Sequence, residues 1–301
     1  MNDHQKYLPV WVPALTVLAG FFSVPSLGLA APLLGSELAS FAVLGASTVT
    51  NTGSTTLNGQ LGVYPGLSIT GQTGITINGE PALTTGAGFV HAGDAVAELA
   101  HNQLTAAWTN LGLMGPGTLL SADLVNLTLS PGVYTVPAGV SNLTGTLTLD
   151  GGGNANAAWV FQMESTLITS PNSVVNVINT GLDAGVYWNV GSSATLDTNT
   201  LFEGNILALA SITLNTGVTI GCGSVLADTG AVTMDTDTIG GGCGDSTGGI
   251  HHSFSGGLTL PTGAIGETPT FLPYSPVPEP SSVLLLITGL AGLTIWRRRQ
   301  S

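Results

Sequence analysis

Three stretches of this chain, SATLDTNT (193–200), SITLNTGVTI (211–220) and AVTMDTDT (231–238), share one pattern: apolar and hydroxyl-bearing side chains alternate, then a polar corner follows. Alternation of period two sends Ala194, Leu196, Ile212, Leu214, Val232 and Met234 to one face of a strand, and Thr195, Thr213, Asn215 and Thr233 to the other. The equivalent threonines lie 18 and then 20 residues apart, too short a repeat for a helical hairpin and the length of one turn of a β-solenoid. Stacked coils therefore put Thr195, Thr213 and Thr233 in one outward column. Less regular relatives of the pattern occur at 144–149 and 165–169.

One segment breaks this rhythm. In HAGDAVAELAHNQLTAAWTNL (91–111), Val96, Ala100, Leu104, Ala107, Trp108 and Leu111 recur at helical spacing, Asp94 suits the positive end of the helix dipole, and Gly112 follows. The expectation is a mainly β solenoid with one long α-helix packed alongside, covering an otherwise exposed apolar face. His91 and His101 are ten residues apart, which misses the one-turn spacing of two helix-borne metal ligands, so they are assigned structural roles and no metal is expected.

Charge narrows the partners. The only cationic side chains are Lys6, Arg297, Arg298 and Arg299, so residues 31–277 have none, while only two of the 17 acids, Asp3 and Glu279, fall outside that region. Without Lys or Arg the body cannot neutralise phosphates, which excludes nucleic acid and anionic lipid as expected partners. The abundant Val, Ile, Leu and Thr argue for packed, extended structure rather than acidic disorder.

Both ends read as addresses. Lys6, the apolar run centred on Trp11–Phe22 and the small residues Gly28–Ala31 have the order of a secretory signal peptide over 1–30, with cleavage after Ala30. At the other end Val277-Pro278-Glu279-Pro280 precedes a 16-residue apolar stretch, 281–296, and then three arginines. This three-part pattern over 278–301 resembles the PEP-CTERM sorting signal of Gram-negative bacteria. The resemblance implies export, transient anchoring in the inner membrane, processing by an exosortase-type enzyme and a secreted or cell-surface destination. Residues 244–277, rich in Gly, Ser, Thr and Pro, read as a flexible spacer, with His251 and His252 as solvated polarity. Cys222 and Cys243 each follow a Thr-Ile pair, and in an exported protein a disulfide between adjacent coils is expected, with free thiols as the alternative.

LGSELASFAVLGASTVTNTG (34–53), NGQLGVYPG (58–66), HAGDAVAEL (91–99), LSPGVYTV (129–136), LTGTLTLDG (143–151), AAWVFQMESTL (157–167), VYWNVGSSATLDTNTLFEGNILALASITLNTGVT (186–219) and GAVTMDTDTI (230–239), in this joint order, resemble the ice-binding-like domain family. The resemblance spans nearly all of 31–243. It implies a right-handed, discontinuous β-helix of triangular section, one flat face of which binds ice, with strands from the first part of the chain inserted between later coils. That would bring Thr48 and Thr50 onto the face of the later threonines.

The physics of such a face is simple. Coils ~4.8 Å apart and alternate residues ~6.7 Å apart form a grid close to oxygen spacings in ice. Threonine suits it, having a stiff β-branched side chain and a hydroxyl that can bond water. Charged side chains would hold their own hydration, so Asp197 and Asp235 are expected to weaken the face. The expected ice-contacting residues are Thr48, Thr50, Thr195, Thr213, Asn215 and Thr233. Thr216 and Thr219 rank below them because Gly217, like the glycines after Thr52 and Thr70, can mark a corner. No catalytic residue and no cofactor is expected. The competing readings are a polysaccharide-cleaving solenoid, which needs clustered carboxylates that are not evident here, and a matrix or adhesion protein without ice activity, for which extracellular polysaccharide would be a partner. Asp235 and Asp237 lack the glycine-rich repeats of calcium-binding coils.

Overall fold

The computed structural model describes residues 31–82, 88–181, 183–240 and 254–277. Residues 1–30, where a leader is expected, Cys243, His251, His252 and the terminal segment 278–301 lie outside the described residues. Short strands joined by tight corners stack into a β-solenoid with three sheets as its three sides, parallel except where Glu80–Pro81 pairs antiparallel with Ile75–Ile77 at one edge. The first sheet has nine strands, including Gly132–Val136, Ala158–Met163, Gly185–Val190, Asn205–Ala208, Val225–Ala227, Phe41–Gly45 and Gln60–Val63 in that spatial order. The second has six and the third nine.

The stack is discontinuous. Val225–Ala227 pairs in parallel with Phe41–Gly45, Val232–Asp235 with Thr48–Thr52, and Thr238–Ile239 with Thr55–Leu57. The amino-terminal coils therefore close one end of the stack, beyond the coil ending at 240, and are not inserted between later coils as the resemblance implied. The chain supplies these coils first, crosses back along the body as a helix, and builds the remaining coils toward them.

Inward side chains in register fill the solenoid. Tyr134, Phe161 and Trp188 occupy successive positions of one column, which continues as Ile206, Val225, Val43 and Leu61. The Phe161 and Trp188 rings stack with centroids 4.0 Å apart, and Phe202 leans on Trp188 from the third sheet at 4.8 Å. Rings fill one end of the tube and aliphatic side chains the other.

The helix runs from Ala95 to Gly112, starting four residues after the start of the run read from the sequence. Asp94 caps it, its carboxylate accepting from the Val96 and Ala97 N–H groups, and His91 Nδ1 lies 2.8 Å from that carboxylate. Ala100, Leu104, Ala107 and Leu111 are fully buried against Val160, Tyr187, Leu207 and Leu226 of the first sheet. The expected helical stripe thus meets the outer face of the expected stack. His101 Nε2 is 2.7 Å from the Asp228 carbonyl, holding the helix to the sheet.

The spacer reading needs correction over its second part. Residues 254–277 form a strap on the body: Leu258–Leu260 pairs antiparallel with Ala31–Pro32 and with Thr270–Phe271. Leu258 and Leu260 are each 2% exposed and join the core beneath the helix. Composition alone hid this, because a few well-placed leucines are enough once Leu33, Leu34 and the helix offer them a surface.

Candidate functional site: a threonine ladder

The second sheet stacks Leu167–Ile168, Ala194–Leu196, Ile212–Leu214, Val232–Asp235, Thr48–Thr52 and Ser68–Thr70. Its register sets Ile168, Thr195, Thr213, Thr233, Thr50 and Thr70 directly opposite one another, strand after strand. Beneath them Ala194, Ile212, Val232 and Val49 are buried, so the alternation read in three strands holds in the amino-terminal strand Thr48–Thr52 too. Among the described residues none of the five threonine hydroxyls in this column is hydrogen-bonded within the protein, and each side chain is at least partly exposed. Thr48 opposes Ser68 in the column on one side. Thr52 opposes Asp235 in the column on the other, in line with Asn215.

Asp197 and Asp235 are on this sheet, one pleat from the ladder, but neither carboxylate is loose. Asn215 Nδ2 donates to Asp197 Oδ1 at 3.0 Å, and the Thr198 N–H and hydroxyl donate to the same oxygen. The Asn215 amide, then the Thr198 N–H, hold the Asp197 carboxyl below the usual carboxylate range. Asp235 accepts from the Thr216 and Thr236 hydroxyls at 2.5 and 3.0 Å. With no Lys or Arg in the body, amides and hydroxyls satisfy these acids and draw them toward the corner.

That corner explains the Thr-Gly pieces. Where the second sheet turns into the third, coil after coil has one left-handed residue: Asn172, Asn199, Gly217, Thr236, Gly53 and Gly71, with φ between 57° and 80°. Gly217 sends Thr219 onto the third sheet, which corrects its grouping with the ladder, and leaves Thr216 exposed at the edge between the two. Of the sequence-derived residues, Thr50, Thr195, Thr213 and Thr233 share one column, Thr48 and Asn215 flank it, and Thr216 and Thr219 lie off it.

On the third sheet Thr219, Thr238, Thr56 and Thr76 form a second, shorter column, ending at Leu201, which is 50% exposed. Farther along, this sheet is broken by a bulge between Asp150 and Asn154 and by clefts of about 320 and 260 Å³ that share Asn179 and Thr180. The second sheet is the more regular of the two. Sequence reasoning overlooked Thr70 and Ser68 as ladder members and Thr56, Thr76 and Thr238 as a column; SIT (68–70), TTL (55–57) and ITI (75–77) show the alternation, each too briefly to register alone.

Two acids sit at corners: Asp237, buried, between the second and third sheets, and Glu203, partly buried, between the third and first. Burial pushes the Asp237 carboxyl up to about 7, against the Asp235 and Val218 N–H groups that favour its charged form. Burial likewise raises Glu203, opposed by the Cys222 N–H. Cys222 is disulfide-bonded and 7% exposed. Among the described residues no three side chains of metal-ligating type cluster together.

Comparison with known proteins agrees with this architecture. The ice-binding-like family model matches residues 43–240, and the PEP-CTERM protein-sorting motif matches 276–299. The chain is 46% identical over 205 residues to an ice-binding protein of Nostoc sp. (strain HG1), covering 67% of this chain and 72% of that one. It is 31% identical over 240 residues to ice-binding protein 1 of Shewanella frigidimarina, covering 69% of this chain and 26% of that much longer one. The crystal structure of an ice-binding protein from the Antarctic ascomycete Antarctomyces psychrotrophicus superposes with a TM-score of 0.62 at 34% identity, over 72% of this chain and all of that one. An ice-binding protein from an Antarctic biological consortium gives 0.62 at 34%, over 78% and 95%. A solenoid closed by its own amino-terminal coils, flanked by the helix Ala95–Gly112 and matched over 43–240, places this chain in the ice-binding-like family.

Proposed function

We propose that the chain adsorbs to ice through the second sheet. The observation that carries this is the in-register column Thr195, Thr213, Thr233, Thr50 and Thr70, whose hydroxyls have no hydrogen-bond partner among the described residues and whose backbones are fixed by the parallel ladder. Strand spacing of ~4.8 Å fixes the repeat along the column. The hydroxyls anchor first-layer water at that repeat, and the stiff β-branched side chains bring little rotamer entropy to lose on contact. Thr48, Thr52, Ser68 and Asn215 widen the lattice. Many weak contacts form together, the adsorbed body pins the ice front, and growth must bulge between anchors. No bond is made or broken, and the cleft of about 320 Å³ on the third sheet has Asp150 as its one carboxylate, where glycoside cleavage takes a pair.

The sorting motif supports export from a Gram-negative cell, with an exosortase-type enzyme acting on the carboxyl-terminal signal and the leader 1–30 directing the first step. The chain then meets ice outside the cell.

Microscopy of an ice crystal in a solution of the protein tests the reading. The wild type is expected to facet the crystal; Thr213→Tyr, whose ring stands above the lattice, should leave a round, freely growing disc at unchanged thermal stability. An unchanged crystal habit would show that the second sheet is not the adsorbing face.

A further inference from the structure

The strap at 254–277 fixes where the sorting motif leaves the body. It begins at the corner where the third sheet turns into the first: the Val186 N–H and Asn205 Nδ2 donate to the Phe254 carbonyl at 2.9 and 2.7 Å, and the Gly256 N–H donates to the Ala184 carbonyl. Gly185 and Gly256 cross closely there; a Cβ on Gly185 would lie 2.0 Å from the Gly256 carbonyl oxygen. The strap next pairs with Ala31–Pro32 beside the helix and passes the helix end, where Asn110 Oδ1 accepts from the Gly266 and Glu267 N–H groups. It then returns to the same corner. Ser275 exchanges hydrogen bonds with Asn154 Oδ1 and the Ala155 N–H, and the Val277 N–H donates to the Gly153 carbonyl at 3.0 Å.

In a three-sided solenoid the corner between the third and first sheets is opposite the second sheet. The residue before Pro278 is thus hydrogen-bonded to the body on the side remote from the threonine ladder, and Ala31, which follows the leader, pairs with the strap's Leu260. We infer that the strap is an orienting tether: while the chain is held by its carboxyl-terminal signal, the ladder faces away from the surface that holds it, open to ice. A free spacer would let the body tumble and bury the ladder against the surface part of the time; a segment bonded up to Val277 does not. The inference rests on the sorting role of 276–299 and on the ladder as the adsorbing face.

The test uses the full chain expressed in an exporting host, with membranes collected before processing. Two variants, each adding one cysteine to the native Cys222 and Cys243, are labelled with a bulky poly(ethylene glycol) maleimide against the unsubstituted chain as background: Thr213→Cys on the ladder, and Asp183→Cys at the corner where Gly256 crosses. Each is compared membrane-held and detergent-released. The expected result is an equal rate for Thr213→Cys in both states and a several-fold slower rate for Asp183→Cys when held. A ladder cysteine shielded as much as the corner cysteine overturns the inference, as does a chain absent from the membrane fraction, since nothing is then tethered. Adding Asn154→Ala, which removes one of the two hydrogen bonds that hold Ser275, should reduce the difference. Ice microscopy on the released chain is read separately, so failure of ice adsorption and failure of orientation are distinguishable.

Discussion

Thr213 and Thr219 are six residues apart, yet they belong to columns on different sheets, because Gly217 between them turns the chain through a left-handed residue. Two neighbouring faces therefore present hydroxyl columns, and only one of them is long and unbroken.

The two faces can be separated by a matched pair of substitutions. Thr213→Lys and Thr219→Lys each place a hydrated ammonium on a column without touching the core, so both should change stability by no more than about 0.5 kcal/mol. The first is expected to lose most ice-shaping activity and the second to retain most of it, read by crystal microscopy alongside thermal melts. Equal losses would mean that the adsorbing surface wraps around the corner.

Thr236 is the one β-branched residue in the left-handed corner column, at φ 61°, where the adjoining coils use Gly217 and Gly53 and the coil beyond Gly217 uses Asn199. Left-handed backbone costs such a residue roughly 1–2 kcal/mol, and Asn tolerates it better. Thr236→Asn should raise the melting temperature by a few degrees in a ~250-residue body. A lower value would show that the Thr236 hydroxyl on Asp235 outweighs the backbone term.

Removing a ring from the aromatic end of the tube should be severe. Phe161 is fully buried and stacked on Trp188, so Phe161→Ala is expected to cost about 3–5 kcal/mol in denaturant unfolding. Leu260→Ala, in the strap, should cost about 2–5 kcal/mol by the same mechanism. A strap that contributed nothing would leave the midpoint unmoved.

Stability should fall as pH rises from 5 to 8. Asp237 is raised from 3.8 to about 7 by burial, so the folded state holds its proton where the unfolded chain has released it. A raised acid contributes most below its unfolded value and loses that contribution as pH climbs through the folded one. Glu203, also raised by burial, works in the same direction. Asp197 is lowered, and its contribution fades only under stronger acid, below the ordinary carboxylate range. Melting temperatures recorded across this window should slope downward, and Asp237→Asn should flatten the slope.

How far the sequence discloses this molecule depends on repetition. Thr195, Thr213 and Thr233 could be aligned because three successive coils share length and pattern, and the helix was legible because its stripe spans five turns. Thr70 and Thr76 lie in strands as short as those of Thr195 and Thr213, but Gly71 follows Thr70 at once and Asn78-Gly79 follows Ile77, so neither segment repeats the shared Asp/Asn-Thr corner. The strap was missed for a related reason: Leu258 and Leu260 make a strand only in the presence of Ala31–Pro32 and the helix, so its cause is tertiary and leaves no local trace. The seam between 240 and 41 is a pairing of distant segments that no periodicity within either one announces.

That seam also sets an order of assembly. Phe41–Leu57 emerges early but has no neighbour on one side until Val225–Ile239 has been made, so the earliest coils must wait with an unpaired edge for nearly the whole remaining chain. Closing so long a loop is slow. A chain exported while still extended would meet this wait outside the cytoplasm.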